Sequence, residues 1–318
     1  MIFFMADYLI TGAAGFIGFH TARKLKNGIG IDNFNDYYDP KLKKDRAAIL
    51  KDEGFKVIEG DINDKPLLDR LIAEHKPKAI VHLAAQAGVR YSLQNPMSYL
   101  KSNIDGFLTV LEVIRENPSI KLVYASSSSV YGRNEKTPYS VSDRTDKQAS
   151  LYGVTKKANE LMADTYHHLF GINVCGLRFF TVYGPWGRPD MAYFTFSEAI
   201  RKGKEIELFN FGECERDFTY IDDIVDGIIA ALDVEGSNVL NLGNHEPVKL
   251  TEFVNTLEKL WDKKAKISLK PLQKGDVIKT FADIEESRKR IGFSPKTSLE
   301  EGLKKYVDWH KDYFKNIR

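Results

Sequence analysis

The stretch YLITGAAGFIG, residues 8–18, decides the fold. A short apolar run, Tyr8–Thr11, leads into glycines at 12, 15 and 18, and a helix-compatible run, FIGFHTARKL, overlaps the last of them. The first glycine makes a tight turn, the second lets backbone approach a pyrophosphate, and the third lets helix and strand pack closely. A helix that starts here points unpaired N–H groups and the positive end of its dipole at the phosphates. Strand before and helix after single out a dinucleotide site over an ordinary turn. Gly12, Gly15 and Gly18, with Phe16 and Ile17 opening the helix, are its first candidate residues.

Working outward, short apolar runs at Ile29–Ile31, Phe55–Ile58, Ala79–Leu83, Leu122–Ala125 and Val174–Leu177 alternate with helical patterns at Phe16–Leu25, Lys41–Lys51, Pro66–His75, Pro96–Arg115 and Leu151–Phe170. This alternation predicts an α/β fold, a Rossmann-type doubly wound parallel sheet. After Arg178 the pattern loosens into short elements, which predicts a smaller α/β substrate lobe. The expected division is 1–178 for the dinucleotide lobe and 179–318 for the other, with a strand near Val239–Leu242 returning to the first.

Composition sets limits. A formal charge of +2 over 318 residues cannot neutralise a phosphate backbone, so nucleic acid is not an expected partner. Two cysteines far apart, Cys175 and Cys214, argue against a disulfide framework or a zinc site and fit a cytoplasmic protein. No apolar window reaches membrane-spanning length, and the apolar start reads as a first strand with a short leader. No histidine or carboxylate spacing suggests a metal.

Asp32 ends the second apolar run, where a carboxylate accepts hydrogen bonds from ribose hydroxyls and repels a 2′-phosphate, which favours NAD over NADP. Asn33 follows it. Asp61 and Ile62 in GDIND sit where the adenine is held, and Leu83, Ala84 and Ala85 in HLAAQAG end the fourth strand with side chains small enough to admit the cofactor. Only about twenty residues separate Gly12 from Asp32, and KLKNGIGID leaves little room for a helix end, a turn and a strand, so either this unit is shortened or residues are missing from the sequence here.

Tyr152 and Lys156, in LYGVTKKANELM, are four apart on a predicted helix and share a face. A free phenol with a pKa of ~10 is a poor base at neutral pH. A neighbouring ammonium and a cationic nicotinamide favour the phenolate, which can then take a proton from a substrate hydroxyl during hydride transfer to NAD.

The set GAAGFIG, GDIND, HLAAQAG, SSSSVYG, YGVTK and RFFTVYGP resembles the extended short-chain dehydrogenase/reductase superfamily, in particular its nucleotide-sugar 4-epimerases and among them the UDP-glucuronate 4-epimerases. The likeness covers nearly the whole chain, and the shortened second strand departs from it. It implies a catalytic Ser127, a base at Tyr152 and a helper at Lys156, which also holds the nicotinamide ribose. It implies a UDP-sugar substrate and a homodimer formed through helices such as Pro96–Arg115. Relatives that catalyse 4,6-dehydration carry Asp and Glu after the catalytic hydroxyl, and the decarboxylases carry Glu at the second place. Ser128 and Ser129 stand there in this chain, offering donors to a uronate carboxylate and no elimination machinery.

Thr181, where UDP-glucose epimerases have Asn, and Arg188 suit a carboxylate on carbon 6, the arginine through its planar fork. Arg90 in AGVRYS is a second anion-binding candidate. The resemblance further points to Leu208 or Phe209 for the uracil, Arg216 for the diphosphate and Asp276 for the uridine ribose. The implied activity is NAD-dependent epimerisation at carbon 4 of a UDP-uronic acid. UDP-glucose epimerisation, UDP-glucuronate decarboxylation and a non-catalytic NAD-binding redox sensor are the alternatives.

Overall fold

The computed structural model describes residues 5–272 and 277–315. Strands and helices alternate from the start: β1 (Tyr8–Thr11), α1 (Phe16–Leu25), β2 (Gly28–Asp32), α2 (Pro40–Asp52), β3 (Lys56–Glu59), α3 (Lys65–His75) and β4 (Ala79–His82). A short α4 (Tyr91–Gln94) precedes α5 (Pro96–Tyr99), a π-helical segment (Leu100–Asp105) and α6 (Gly106–Glu116). Then come β5 (Lys121–Ser127), α7 (Leu151–Phe170) and β6 (Val174–Phe179).

The remainder is more irregular: β7 (Thr181–Tyr183), α8 (Ala192–Lys202), β8 (Glu205–Phe209), β9 (Glu215–Tyr220), α9 (Ile221–Ala231), β10 (Ser237–Leu242), β11 (Pro247–Lys249), α10 (Leu250–Trp261), β12 (Lys266–Lys270), α11 (Glu285–Ile291) and α12 (Leu299–Lys315). The main sheet runs β10-β6-β5-β4-β1-β2-β3, with every neighbouring pair parallel. Its order reverses at β1, and in such sheets the crevice beyond the strand ends at that point is where ligands bind. Two small sheets, β11-β9-β7 and β12-β8, build the rest. Their strands are too short for alternation to have marked all of them.

The short unit between Gly12 and Asp32 closes completely. Helix α1 has 10 residues, about 15 Å at 1.5 Å per residue. That is nearly the length of the 5-residue β2, about 16 Å. The chain therefore turns back in two residues, with Lys26 at φ 56 and Asn27 donating its side-chain amide to Asp7 at 2.9 Å.

The run predicted as one helix over Pro96–Arg115 is helical but widens into a π turn at Leu100–Asp105. Such bulges recur where a side chain must be aimed at a site. Asn103 in it binds the backbone of Gln86 on both sides, accepting from its N–H at 2.8 Å and donating to its carbonyl at 2.9 Å, and reaches Thr155 of α7 at 3.0 Å.

A buried ionic network stitches four elements. Arg178 of β6 donates to both Glu160 oxygens at 2.8 and 2.9 Å, and Ser126 of β5 donates to Glu160 at 2.7 Å. Arg178 also donates to the Tyr131 hydroxyl at 3.0 Å, which donates to Asn241 of β10 at 2.7 Å. Burial pushes the Glu160 carboxyl up, and Arg178 more than offsets this. Arg178→Met leaves that buried carboxylate with only the partly exposed Lys157 ammonium at 3.1 Å, so it should lower stability by about 3 kcal/mol, read as a fall in the urea midpoint.

Candidate active site

The glycine turn is built by exclusion. Gly12 sits at φ +70, and a Cβ there would lie 2.7 Å from the Ala84 nitrogen; at Gly18 one would lie 2.1 Å from the Gly12 carbonyl. No side chain caps α1, whose N-cap is Gly15, so its first N–H groups stay available to an anion. A cleft of about 440 Å³ opens beside this turn. It is lined by Gly12, Gly15, Phe16, Ile17, Gly18, Asp32, Asn33, Asp61, Ile62, Leu83, Ala84 and Ala85, which brings together all the residues that sequence reasoning assigned to the dinucleotide. The Gln86 side-chain amide also lines it, beside the Tyr99 hydroxyl. A cradle that admits no Cβ, an uncapped helix start and a carboxylate at the next strand end fit NAD.

Asp32 accepts the Ala14 N–H at 3.0 Å and the Phe34 N–H at 2.9 Å, which ties β2 to the glycine turn. Burial raises its carboxyl, opposed by those N–H groups and by Lys43. Lys43 also lines the cleft, held by the carbonyl and side-chain oxygen of Asn35 at 2.8 Å each. The sequence offered no sign of it beyond one more cation in an amphipathic helix.

Ser127, Tyr152 and Lys156 line the same cleft. The serine run divides by strand alternation. Ser126 turns its hydroxyl to Glu160, while Ser127 at the end of β5 faces the cleft near the Tyr152 phenol, where its hydroxyl favours the phenolate. Ser128 and Ser129 lie on the following 3-10 turn and also line it, and the Ser129 N–H donates to the Ser127 hydroxyl oxygen at 3.1 Å.

The expected depression of the Tyr152 pKa by Lys156 is corrected here. Burial raises the phenol above its ordinary value; the Ser127 hydrogen bond and the Arg188 charge only oppose this, and Lys156 is not among the causes. Lys156 instead donates to the Ala125 carbonyl at 2.7 Å, and burial lowers its own pKa to about 8.

Thr181, Arg188 and Arg216 line the cleft as well. Arg188 is already engaged: its Nε and Nη2 donate to Asp190 at 3.0 and 2.5 Å, and Tyr37 donates to the same carboxylate at 3.0 Å. It offers remaining N–H groups more than net charge. Arg216 donates to the Glu215 and Ile278 carbonyls at 2.9 and 3.1 Å.

Leu208 points into the hydrophobic core, away from the cleft, because β8 alternates inward at 206 and 208. Phe209 is partly exposed with the Arg90 guanidinium 5.2 Å from its ring centre, and neither lines the cleft. Asp276 lies outside the described residues. Trp186 packs among Phe19, Trp309 and Tyr313. Among the described residues no group of histidines, cysteines and carboxylates could hold a metal, and no helix is long and apolar enough to cross a membrane.

Residues 8–243 match the family described as NAD dependent epimerase/dehydratase. The chain is 51% identical to UDP-glucuronate 4-epimerase 3 of Arabidopsis thaliana, over 96% of this chain and 76% of that one. It is similar to the structure of a UDP-glucuronic acid 4-epimerase from Bacillus cereus in complex with UDP-glucuronic acid and NAD, with a TM-score of 0.89 and 34% identity, covering 96% of this chain and 99% of that one. A UDP-glucose 4-epimerase structure with UDP-glucose, from Thermotoga maritima, is similar at a TM-score of 0.88 and 30% identity, over 96% and 99% of the two chains.

The Lys156 shift has a sign that can be measured. Between about pH 8 and the ordinary lysine value of ~10.4 the unfolded chain holds this proton and the folded chain does not, so its contribution makes stability rise with pH, by at most about 1.4 kcal/mol per unit. Urea denaturation of cofactor-stripped protein between these limits should show that rise, and Lys156→Met should flatten it.

Proposed function

The chain belongs to the NAD dependent epimerase/dehydratase family, and from that footing we propose that it is an NAD-dependent UDP-glucuronate 4-epimerase, converting UDP-glucuronate and UDP-galacturonate into one another through a 4-keto sugar. One observation carries the reading: Ser127, Tyr152 and Lys156 share a cleft with the glycine turn, and Ser128, Ser129, Thr181 and Arg188 bring neutral donors and a shared guanidinium to the same space. Those donors suit a uronate carboxylate, and neither Ser128 nor Ser129 supplies a carboxylate for elimination.

Bound NAD provides a reversible store for the carbon-4 hydrogen and its electron pair. Tyr152 takes the 4-hydroxyl proton and later returns it. Ser127, in the same cleft as the phenol, orients that hydroxyl with its own. Lys156, fixed by the Ala125 carbonyl, holds the nicotinamide ribose. Arg216 suits the diphosphate, while Phe209 and Arg90 stand at one place that could meet the nucleotide base. Residues 1–178 serve the dinucleotide and 179–318 the sugar nucleotide, with β10 returning to the first. Cys175 and Cys214, two buried thiols, fit a reducing cytoplasm.

Purified protein incubated with UDP-glucuronate and no added acceptor should give UDP-galacturonate. Carbon dioxide release indicates a decarboxylase instead, and faster turnover of UDP-glucose a neutral-sugar epimerase. Tyr152→Phe should cut turnover by about 10²–10⁴-fold while NAD stays bound; unchanged turnover overturns the assignment of the base, and no turnover by the parent chain on any UDP-sugar favours the sensor.

We also propose a homodimer. Met97, Leu100 and Leu108 on the 96–116 run and Val154 and Leu161 on α7 are exposed apolar side chains on helices that pack side by side, a surface of the kind twofold partners bury. Light scattering should return twice the chain mass, and Leu161→Asp should shift it toward the monomer.

A further inference from the structure

Arg46 lies on α2, outside every motif assigned to the reaction, yet it is fully buried. A buried guanidinium is costly unless it is well bonded. Its bonds run to two loops that bear on the cleft. Nη1 donates to the Ala14 carbonyl of the glycine turn at 3.0 Å and to the Tyr38 hydroxyl at 2.9 Å. Nη2 donates to the Trp186 carbonyl at 2.5 Å and the Gly187 carbonyl at 3.2 Å, immediately before Arg188. No carboxylate among the described residues lies within ion-pair distance of it.

The carbonyl before these is held from the same side: His20 Nε2, one turn into α1, donates to Pro185 at 2.9 Å. Three successive carbonyls, 185 to 187, are thus taken by side chains from the elements that flank the glycine turn. Between them Trp186 adopts φ 59, a conformation a bulky side chain seldom takes, and one that persists only where its surroundings over-determine it. Past the clamp, the Arg188 N–H donates to the Tyr193 hydroxyl at 3.0 Å.

We propose that Arg46, assisted by His20, is a positioning residue that fastens the Arg188 loop to the glycine turn, so that the groups facing the sugar and the groups facing the dinucleotide keep one spacing. It rests on the epimerase reading for its effect on turnover. Hydrogen transfer between two bound molecules is sensitive to that spacing, since a displacement of about 1 Å can cost about 10²-fold in rate.

The test is a double-mutant cycle between Arg46 and Arg188. Arg46→Met should lower kcat/KM by about 10²-fold. In an Arg188→Gln background it should cost less than about threefold, because the side chain the loop delivers is already gone. Equal losses in the two backgrounds overturn the proposal, since a purely structural role is indifferent to what the loop carries. Arg46→Lys keeps the charge but lacks the fork that spans both loops. It should melt like the parent and still lose most of the activity, and full activity overturns the proposal.

A second readout needs no turnover. Arg46→Met should hold NAD about tenfold more weakly through gel filtration, since Ala14 is released. If the parent does not act on UDP-glucuronate but this loss appears, the epimerase reading fails and the clamp stands. If the parent epimerises and the variant loses neither activity nor NAD, the clamp fails. Should Arg46→Met not fold, His20→Phe, which frees only the Pro185 carbonyl, runs the same cycle on kcat/KM: a loss that shrinks in the Arg188→Gln background supports the clamp, and an equal loss or none overturns it.

Discussion

The close passage of backbone at Gly12 and Gly18 governs the rest of the molecule. With the Ala84 nitrogen and the Gly12 carbonyl where they are, no side chain fits at either position. That approach draws the start of α1 to the end of β4 and sets the N–H groups of the helix against the crevice where the sheet order reverses. Three further groups key onto the same turn: Asp32 from β2, Arg46 from α2 and, through the 185–187 loop, the segment that carries Arg188. The cofactor surface and the substrate surface are therefore fixed from one point.

The electrostatics of the cleft are those of desolvation more than of pairing. Burial raises the Tyr152 phenol and lowers Lys156 to about 8, so the protein alone holds both groups nearer their neutral forms. A nicotinamide cation held in this cleft would favour the phenolate. Arg188 is likewise balanced by Asp190 in advance. Such a site offers donors without a large fixed charge, which suits a sugar that must bind in two orientations.

Much of this was legible in the sequence because it rests on local patterns. Period and glycine spacing marked β1 to β6 and their helices, and strand ends marked the residues of the glycine-turn side of the cleft. The Tyr152 and Lys156 pair follows from helical spacing. What was hidden depends on distant segments meeting. Arg46 reaches residues 140 positions away, and Asp190 meets Tyr37 across 153; no periodicity records either. The π turn at Leu100–Asp105 was invisible because one widened turn leaves no mark in the residue types of LKSNID. Leu208 was misjudged for a related reason: a two-residue alternation tells which strand positions share a face, not which face meets the ligand.

The return of β10 has a consequence for modularity. The chain leaves the main sheet after Phe179, builds β7 to β9, comes back to lay Ser237–Leu242 along β6, and leaves again. A fragment cut at either crossing would carry the bare edge of β6 or lose Asn241 from beneath Tyr131, and a bare parallel edge invites association with other chains. The main sheet and the small sheets are interlaced by their threading, so neither can be exchanged between homologues as a single contiguous cassette.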